Sequence, residues 1–395
     1  MKFFSIQFKP TGRLCFFLLL FLVPTFYLSS DEIEEQTSIR NSRDLEVQKS
    51  NWGKPLPPDS PNPRAAAFLG IIPGLGQAYL GNPGTAGFQM GLFLGINRTR
   101  SYMVHQPDYI KLKDRNVDFD LFDAYLGTSL QRNNSVYTDL PLISETQYDR
   151  TLRLFSNKAI AELNPYIKYG PYERTNKSSF VADNLSNPEL SVILYSVYSS
   201  YRDAGGLGEY KKSETIEDLA LAPFQFSVLK SYFVYVPIVA MAAIAGVSSR
   251  SYSGDNPILV PESLRRDGSL QAGAFLTGIS PAIGEEAFFR GYVNYNMTMR
   301  LGALPGLGTS SLLFMLAHEG NTDAADGRLS RLAMGLYLGY VHMKFGYDIR
   351  PTVAIHFWYN FLIGLSELVR YKSDPNFDKS QREVFYMPFS YTHKF

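Results

Sequence analysis

Three short motifs in the C-terminal half of the chain combine residue types suited to acid–base chemistry with strongly apolar surroundings. They are EEAFFR at 285–290, FMLAH at 314–318 and HFWYN at 356–360. Ionisable side chains are costly at membrane depth, so their presence in apolar segments indicates a functional site. Three such motifs in succession predict one site that is assembled from several helices.

The spacing within each motif places its polar groups on one face of a helix. Glu286 and Arg290 are four residues apart, as are His356 and Asn360, and residues at this separation are neighbours on a helix surface. Glu285 lies about 100° around the helix axis from Glu286, because an α-helix has about 3.6 residues per turn. We therefore expect Glu286 to pair with Arg290, which leaves Glu285 available for another role.

The ordered motifs resemble those of a known family, the CAAX-processing and bacteriocin-processing intramembrane endopeptidases, abbreviated CPBP or Abi. The family pattern reads EExxxR, FxxxH and HxxxN, each on a transmembrane helix, and all three occur here in this order. The resemblance covers roughly residues 224–371. It implies a helix bundle with endopeptidase activity, in which Glu286, Arg290 and Phe314 have supporting roles.

Peptide hydrolysis requires a nucleophile, a general base and a group that stabilises the developing oxyanion. The only cysteine, Cys15, lies far from the motifs and no GxSxG motif occurs, so water is the expected nucleophile. A carboxylate in an apolar site is a competent base near neutral pH. Glu285 is the predicted base, and His318 is predicted to share the water. His356 and Asn360 are the predicted donors to the oxyanion.

A catalytic zinc site is the competing interpretation of the same residues. Glu285, His318 and His356 are ligand types that suit zinc, with a fourth position left for water. The HExxH motif of many zinc peptidases is absent, because Glu319 and Gly320 follow His318. The sequence therefore predicts water activation without a cofactor, and zinc held by the same three side chains is the alternative.

Composition fits a chain that is partly embedded in a membrane. Its 395 residues carry a formal net charge of +1, which argues against a nucleic-acid-binding protein. The mean hydropathy of −0.12 is too low for membrane helices throughout and indicates apolar helices combined with a large polar insert. Aromatic residues make up 14% of the chain, and Tyr and Trp at lipid–water interfaces are one use of that excess. A single cysteine excludes an intrachain disulfide framework.

Shifts in composition divide the chain into six predicted segments. They are a signal peptide or anchor at 1–30, a polar Pro-rich linker at 31–64, an apolar helical hairpin at 65–96, a mostly helical extramembrane insert at 97–223, the catalytic core at 224–371 and a polar tail at 372–395. Lysines and an arginine before an apolar run at 14–28 are typical of an export signal. Within the hairpin, a PGLGQ string indicates tight helix packing through small residues.

Five apolar stretches are predicted to be the helices of the core. They are 224–247, 270–297, 304–318, 329–345 and 351–369. The fourth carries Gly335 and Gly339, which form a small-residue face for helix packing. It also carries His342, which we interpret as a packing residue because no motif surrounds it. The polar, Asp-rich loop at 320–328 is expected to control access to the site.

These observations predict an all-α, multi-pass transmembrane helix bundle of the bacterial inner membrane. Its predicted activity is hydrolysis of a peptide bond in a membrane-associated protein or peptide, so its partners are this substrate and membrane lipid, and not nucleic acid. The bacterial-style signal segment makes prenylated CAAX proteins a less suitable substrate class. A non-catalytic membrane scaffold or chaperone is the alternative, but a scaffold does not need Glu285, His318, His356 and Asn360 together. A transporter is disfavoured because no internal repeat is evident.

Overall fold

The computed structural model of the chain describes residues 60–111, 115, 172–208, 214–253, 256–318 and 325–373. The predicted signal segment, most of the linker, much of the insert, part of the access loop and the tail from residue 374 lie outside this set. The described residues are mainly helical, as predicted. They divide into two units. Unit 1 comprises the described parts of 1–109, 178–254 and 269–369, and unit 2 comprises those of 110–177, 255–268 and 370–395.

The α-helices of the described residues are, in chain order, α1 (Pro63–Leu69), α2 (Leu75–Tyr79), α3 (Pro83–Val104), α4 (Lys177–Asn184), α5 (Ser186–Asp203), α6 (Ile216–Leu221), α7 (Phe226–Leu229), α8 (Tyr232–Tyr252), α9 (Glu262–Arg266), α10 (Ser269–Glu285), α11 (Tyr295–Leu301), α12 (Ala303–Ala317), α13 (Ala325–Lys344) and α14 (Arg350–Glu367). A π-helix, Glu286–Asn294, joins α10 to α11. Short 3-10 helices are formed by Ala222–Phe224 and Leu368–Arg370.

Unit 2 contains a three-stranded parallel sheet that an all-α prediction misses. Its strands are β1 (Glu173–Arg174), β2 (Ile258–Val260) and β3 (Tyr371–Ser373), in the order β1-β2-β3. Ile258 is paired with Glu173 on one side and with Tyr371 on the other. The strands come from three distant parts of the chain and have two or three residues each. Such short runs carry no recognisable period of two, which is why the sequence did not reveal them.

Two helices of the described residues are long and apolar enough to cross a membrane, judged by length and composition. They are α8 and the stretch Arg350–Arg370, which contains α14. The rest of the protein buries 22% of the most apolar 18 residues of α8 and 50% of those of Arg350–Arg370, so α8 presents the more exposed apolar surface.

The prediction that one helix starts at Phe224 is wrong. Gln225 and Ser231 have extended backbones, and the continuous helix begins only at Tyr232.

Helix α14 lies between two hydrophobic clusters of unit 1. Phe357 belongs to a cluster with Tyr198 of α5 and Ala287 of the π-helix. Ile355, on another side of α14, belongs to a second cluster with residues of α8 and α13. Burial of apolar surface stabilises a fold by about 25 cal/mol per Å². Packing on both sides therefore fixes α14, and with it His356 between the two clusters.

Helix α5, which falls in the predicted extramembrane insert, packs directly against the helix with the first motif. A Cβ atom on Gly284 would lie 2.5 Å from the Cα of Ser191, and one on Gly291 would lie 2.3 Å from the ring of Tyr198. Only glycine allows two helices to approach this closely. The segment boundary at residue 223 stays a prediction, but α5 on its N-terminal side shares a hydrophobic core with the motif helix.

Helices α1 to α3 pack, through small and polar residues, on a face of α5 other than the one that contacts the motif helix. A Cβ atom on Gly76, within the PGLGQ string, would lie 2.3 Å from Oγ of Ser200. The buried Gln89 donates to Oγ of Ser199 at 2.9 Å and accepts from Oγ of Ser196 at 3.0 Å. The small residues of this region serve close packing, as predicted, and α3 continues beyond the predicted end of the hairpin at residue 96.

Replacement of Gly284 by alanine is expected to lower the free energy of unfolding by about 1–3 kcal/mol, because the new methyl group overlaps the Ser191 backbone. The matched control is Gly87→Ala on α3, where an added Cβ meets nothing within 4 Å. This control should keep or slightly raise stability, since alanine favours a helix over glycine by up to about 1 kcal/mol. Thermal unfolding of both variants measures the difference, and equal midpoints would contradict the close packing of α5.

Candidate active site

The first motif lies at the junction between α10 and the π-helix. Glu285 is the last residue of α10 and Glu286 is the first of the π-helix. The i→i+5 hydrogen bonds of a π-helix make its turn wider than that of an α-helix, and such segments occur frequently at functional sites. The change of helix type was not predicted, because residues four apart remain neighbours in either geometry. The two carboxylates of the motif thus lie on either side of the junction between α10 and the π-helix.

The ion pair between Glu286 and Arg290, predicted from their spacing, is present and sealed from solvent. Arg290 Nε lies 3.1 Å from Glu286 Oε2, and the two side chains are 2% and 0% exposed. The angles are those of an ion pair rather than of a hydrogen bond. The guanidinium also lies over the ring of Phe314, with Cζ 4.4 Å from the ring centroid, which adds a cation–π interaction. The pair itself lies within the π-helix, and its contacts with other helices run from Glu286 to His356 of α14 and from Arg290 to Phe314 of α12.

His318 follows the last residue of α12 and contacts Glu285. Its Nδ1 lies 2.7 Å from the carbonyl oxygen of Phe314, and because a carbonyl only accepts, Nδ1 carries a hydrogen. Its Nε2 lies 3.2 Å from Glu285 Oε2. A bare ring nitrogen and a carboxylate oxygen repel each other, so this contact requires a proton on one of the two groups. Glu285 and His318 therefore form a proton-sharing pair.

His356 connects the two carboxylates of the first motif. Its Nδ1 lies 2.8 Å from Glu286 Oε1 and donates to it, while its Nε2 lies 4.0 Å from Glu285 Oε2. The side chains of His318, Glu285 and His356 are 20%, 17% and 10% exposed, whereas that of Glu286 is fully buried. The three groups that face one another can therefore be reached from outside, and the ion pair lies behind them.

Asn360 is the predicted site residue that the structure does not join to the others. It lies one turn beyond His356 on α14 and is half-buried. In the part of the chain that the structure describes, its amide makes no hydrogen bond. The remaining predicted site residues all contact at least one other member of the set, with Phe314 packed between Arg290 and His318.

Arg331 of α13 is a site residue that the sequence analysis did not identify. Its Nη1 donates to the backbone oxygen of His318 at 2.7 Å. Basic side chains commonly satisfy the last carbonyl groups of a helix in this way, and here the helix is α12. The contact holds the backbone of a candidate catalytic residue. An arginine within the apolar stretch at 329–345 was the available signal.

The side chains do not form a metal site as they are arranged. The second ring nitrogen of His318 and of His356 is held by an acceptor, as is usual for metal-binding histidines. However, Glu285 Oε2 and His318 Nε2 are hydrogen-bonded to each other. Within the described ranges, no group of three or more His, Cys, Asp and Glu side chains is arranged to hold a metal ion. What the geometry offers is an acid–base pair with a second imidazole beside it.

A search of curated proteins and a search of solved structures gave no match to this chain. A family model does match one segment, which starts just before α10 and ends within α14. That segment contains all three motifs and every candidate catalytic residue, and it is a minor part of the chain. The predicted resemblance is thereby confirmed: residues 268–362 match the family of type II CAAX prenyl endopeptidase Rce1-like proteins.

Proposed function

We propose that the chain is an intramembrane endopeptidase that hydrolyses a peptide bond in a membrane-associated protein or peptide. The observation that carries the proposal is the hydrogen bond between Glu285 and His318, with Nε2 of His356 facing the same carboxylate oxygen. The family match of this segment supports CAAX-type endopeptidase activity. The partial exposure of the three groups supports access by water and substrate.

In the proposed reaction, Glu285 is the general base that removes a proton from water. The water oxygen forms a bond to the carbonyl carbon of the substrate, and the carbonyl oxygen becomes an oxyanion. The proton passes to the nitrogen of the leaving amine as the carbon–nitrogen bond breaks. The second water proton then moves from the new carboxylic acid to the amine, so the products are a carboxylate and a protonated amine. His318 supports this transfer because it already shares a proton with Glu285 through Nε2.

His356 and Asn360 are proposed to stabilise the oxyanion. Because Nδ1 of His356 donates to Glu286, His356 donates to an oxyanion only through a second N–H at Nε2. The Glu286 carboxylate supplies the counter-charge for a ring that carries both protons. Loss of one oxyanion donor typically lowers kcat by about 10²–10³-fold. Asn360 completes the pair of donors in this proposal, one helix turn from His356.

The proposed setting is a multi-pass protein of the bacterial inner membrane, with lipid as the surrounding partner. Large apolar side chains on α8 support this setting, since Val239 and Val247 are 63% and 65% exposed. Side chains of this kind on one helix suit contact with lipid tails better than contact with water. Residues 1–30 are proposed to be a signal peptide or anchor, and the polar insert at 97–223 an extramembrane region.

The proposal is tested by mass spectrometry of membrane-derived peptides from cells that produce the wild-type chain or the Glu285→Ala variant at equal levels. We expect at least one new peptide terminus that appears only with the wild-type chain. Identical peptide sets, together with unchanged binding of membrane partners in both strains, would instead favour a non-catalytic scaffold or chaperone.

Metal content separates two versions of the hydrolytic mechanism. We expect purified active protein to hold no stoichiometric zinc and to keep its activity after dialysis against a chelator. The reason is that Glu285 and His318 satisfy each other directly. Elemental analysis of the wild type, His318→Ala and His356→Ala measures this. About one zinc per active chain, lost in both variants, would overturn the metal-free mechanism and leave the endopeptidase assignment intact.

A further inference from the structure

A third histidine, His342 of α13, lies near the candidate site but takes no part in the proposed reaction. It is fully buried, and its Nδ1 lies 3.1 Å from Nδ2 of Asn294. Asn294 is the last residue of the π-helix, at the end opposite to Glu286. The contact therefore joins α13 to the segment that carries the first motif.

Hydrogen bonds determine the orientation of the Asn294 amide. The hydroxyl of Ser310, on α12, donates to Asn294 Oδ1 at 2.7 Å, because a carboxamide oxygen only accepts. The amide nitrogen then points towards α13, where it donates to His342 Nδ1 and, at 3.4 Å, to the backbone oxygen of Gly339. It follows that His342 accepts through Nδ1 and carries its hydrogen on Nε2.

Glycines on α13 make this close approach possible. A Cβ atom on Gly339 would lie 3.3 Å from Asn294 Oδ1 and 2.5 Å from a methyl carbon of Leu307. A Cβ atom on Gly335, one turn earlier, would lie 3.1 Å from the Cα of Ser311. The predicted small-residue face of α13 is therefore confirmed. It brings α12, α13 and the π-helix together at Asn294.

Asn294 lies in line with the buried ion pair. Glu286, Arg290 and Asn294 follow one another at intervals of four residues, and none is more than 2% exposed. Nε2 of His342 is buried and has no hydrogen-bond partner within the described residues. Asn294 is thus the side chain that hydrogen-bonds to this ring, and the ring of Tyr347 packs edge-on against it with the centroids 5.1 Å apart.

We propose that His342 is a positioning residue for the candidate active site, an inference that rests on the proposed function. By accepting the hydrogen bond from Asn294, His342 fixes the far end of the π-helix. The continuity of the helix then sets the rotation of Glu285 and Glu286 towards His318 and His356. Misplacement of a reacting group by about 1 Å costs up to about 100-fold in rate, so a small rotation of this segment lowers kcat.

The test compares His342→Phe with His342→Gln in the full-length chain. Phenylalanine keeps a ring but removes the acceptor, whereas glutamine is able to accept from Asn294 through Oε1. We expect His342→Phe to lower kcat about 10- to 100-fold with KM within about twofold, and His342→Gln to recover most of that loss. A packing role predicts the opposite order, because phenylalanine fills an apolar site better. The proposal is overturned if His342→Phe keeps the wild-type kcat, or if the kcat of His342→Gln is lower than that of His342→Phe.

A second pair of variants guards against failure of the His342 variants to fold. Ser310→Ala removes the hydroxyl that orients the Asn294 amide and should lower kcat in the same way, by a smaller factor. Its matched control is Thr309→Ala on the same helix, where the hydroxyl is exposed and donates to the backbone oxygen of Pro305. Equal kcat in Ser310→Ala and Thr309→Ala, both at the wild-type level, would contradict the proposal.

Hydrogen exchange provides a readout that does not depend on activity. The amides of 286–294 should exchange faster in His342→Phe and in Ser310→Ala than in Thr309→Ala or the wild type. If the wild-type chain cleaves no substrate, the proposed function fails, and the exchange rates still decide whether His342 anchors the π-helix. If Glu285→Gln is inactive but the His342 variants keep wild-type kcat and exchange rates, only the role of His342 is overturned.

Discussion

Glu285→Gln is expected to lower kcat for peptide hydrolysis by roughly 10²–10⁴-fold, because a carboxamide has no basic oxygen to accept a proton from water. The same substitution should leave the fold intact. His318 donates to the Phe314 carbonyl through Nδ1, so its Nε2 is able to accept a hydrogen bond from the new amide. The shape of the site and the contact between α10 and α12 are thereby kept.

The measurement is kcat of purified full-length protein on a peptide substrate, with thermal unfolding as a check on the fold. The matched control is Glu217→Gln, in the first turn of α6, where the side chain is exposed and lies outside the candidate site. This control should keep both the wild-type kcat and the wild-type unfolding midpoint. If Glu285→Gln retains more than half of the wild-type activity, Glu285 is not the base.

The local parts of the candidate site could be predicted from the sequence, because they depend on spacing within single helices. Glu286 and Arg290 are neighbours on any helix, and the apolar surroundings of both motif histidines were visible in the sequence. The small-residue face at Gly335 and Gly339 was recognisable for the same reason. Each of these predictions uses residues that are within one or two turns of each other.

Features that depend on contacts between distant segments could not be predicted in this way. The contact of Asn294 with His342 joins residues 48 positions apart, and no motif surrounds either of them. The position of α5 against Gly284 depends on shape at a helix crossing, which residue composition does not encode. The break before α8 was missed because the large apolar residues from Phe224 to Leu229 extend the apolar run of α8 in the sequence. The π-helix was missed because its pair spacing resembles that of an α-helix.

Arg290→Ala is expected to destabilise the protein by roughly 3–5 kcal/mol, because it leaves the fully buried Glu286 carboxylate without a compensating charge. The same truncation removes the cation over the Phe314 ring, which packs against His318. Asn360→Ala should change the unfolding midpoint little, since its half-buried amide has no hydrogen bond in the described part of the chain. The folded fraction after purification and the unfolding midpoint measure this difference.

The double variant Glu286→Gln with Arg290→Met separates the loss of charge balance from the loss of packing. Methionine retains much of the apolar stem of Arg290, and glutamine keeps an oxygen that accepts from His356 Nδ1. Removing both charges of a buried ion pair is often neutral, whereas removing one is strongly destabilising. We therefore expect the double variant to be more stable than Arg290→Met alone. Arg300→Ala, an exposed arginine at the end of α11, is the control and should match the wild type. If the double variant is no more stable than Arg290→Met, an uncompensated buried charge is not what destabilises the single variant. The position of the pair behind Glu285 and His318 then needs another explanation.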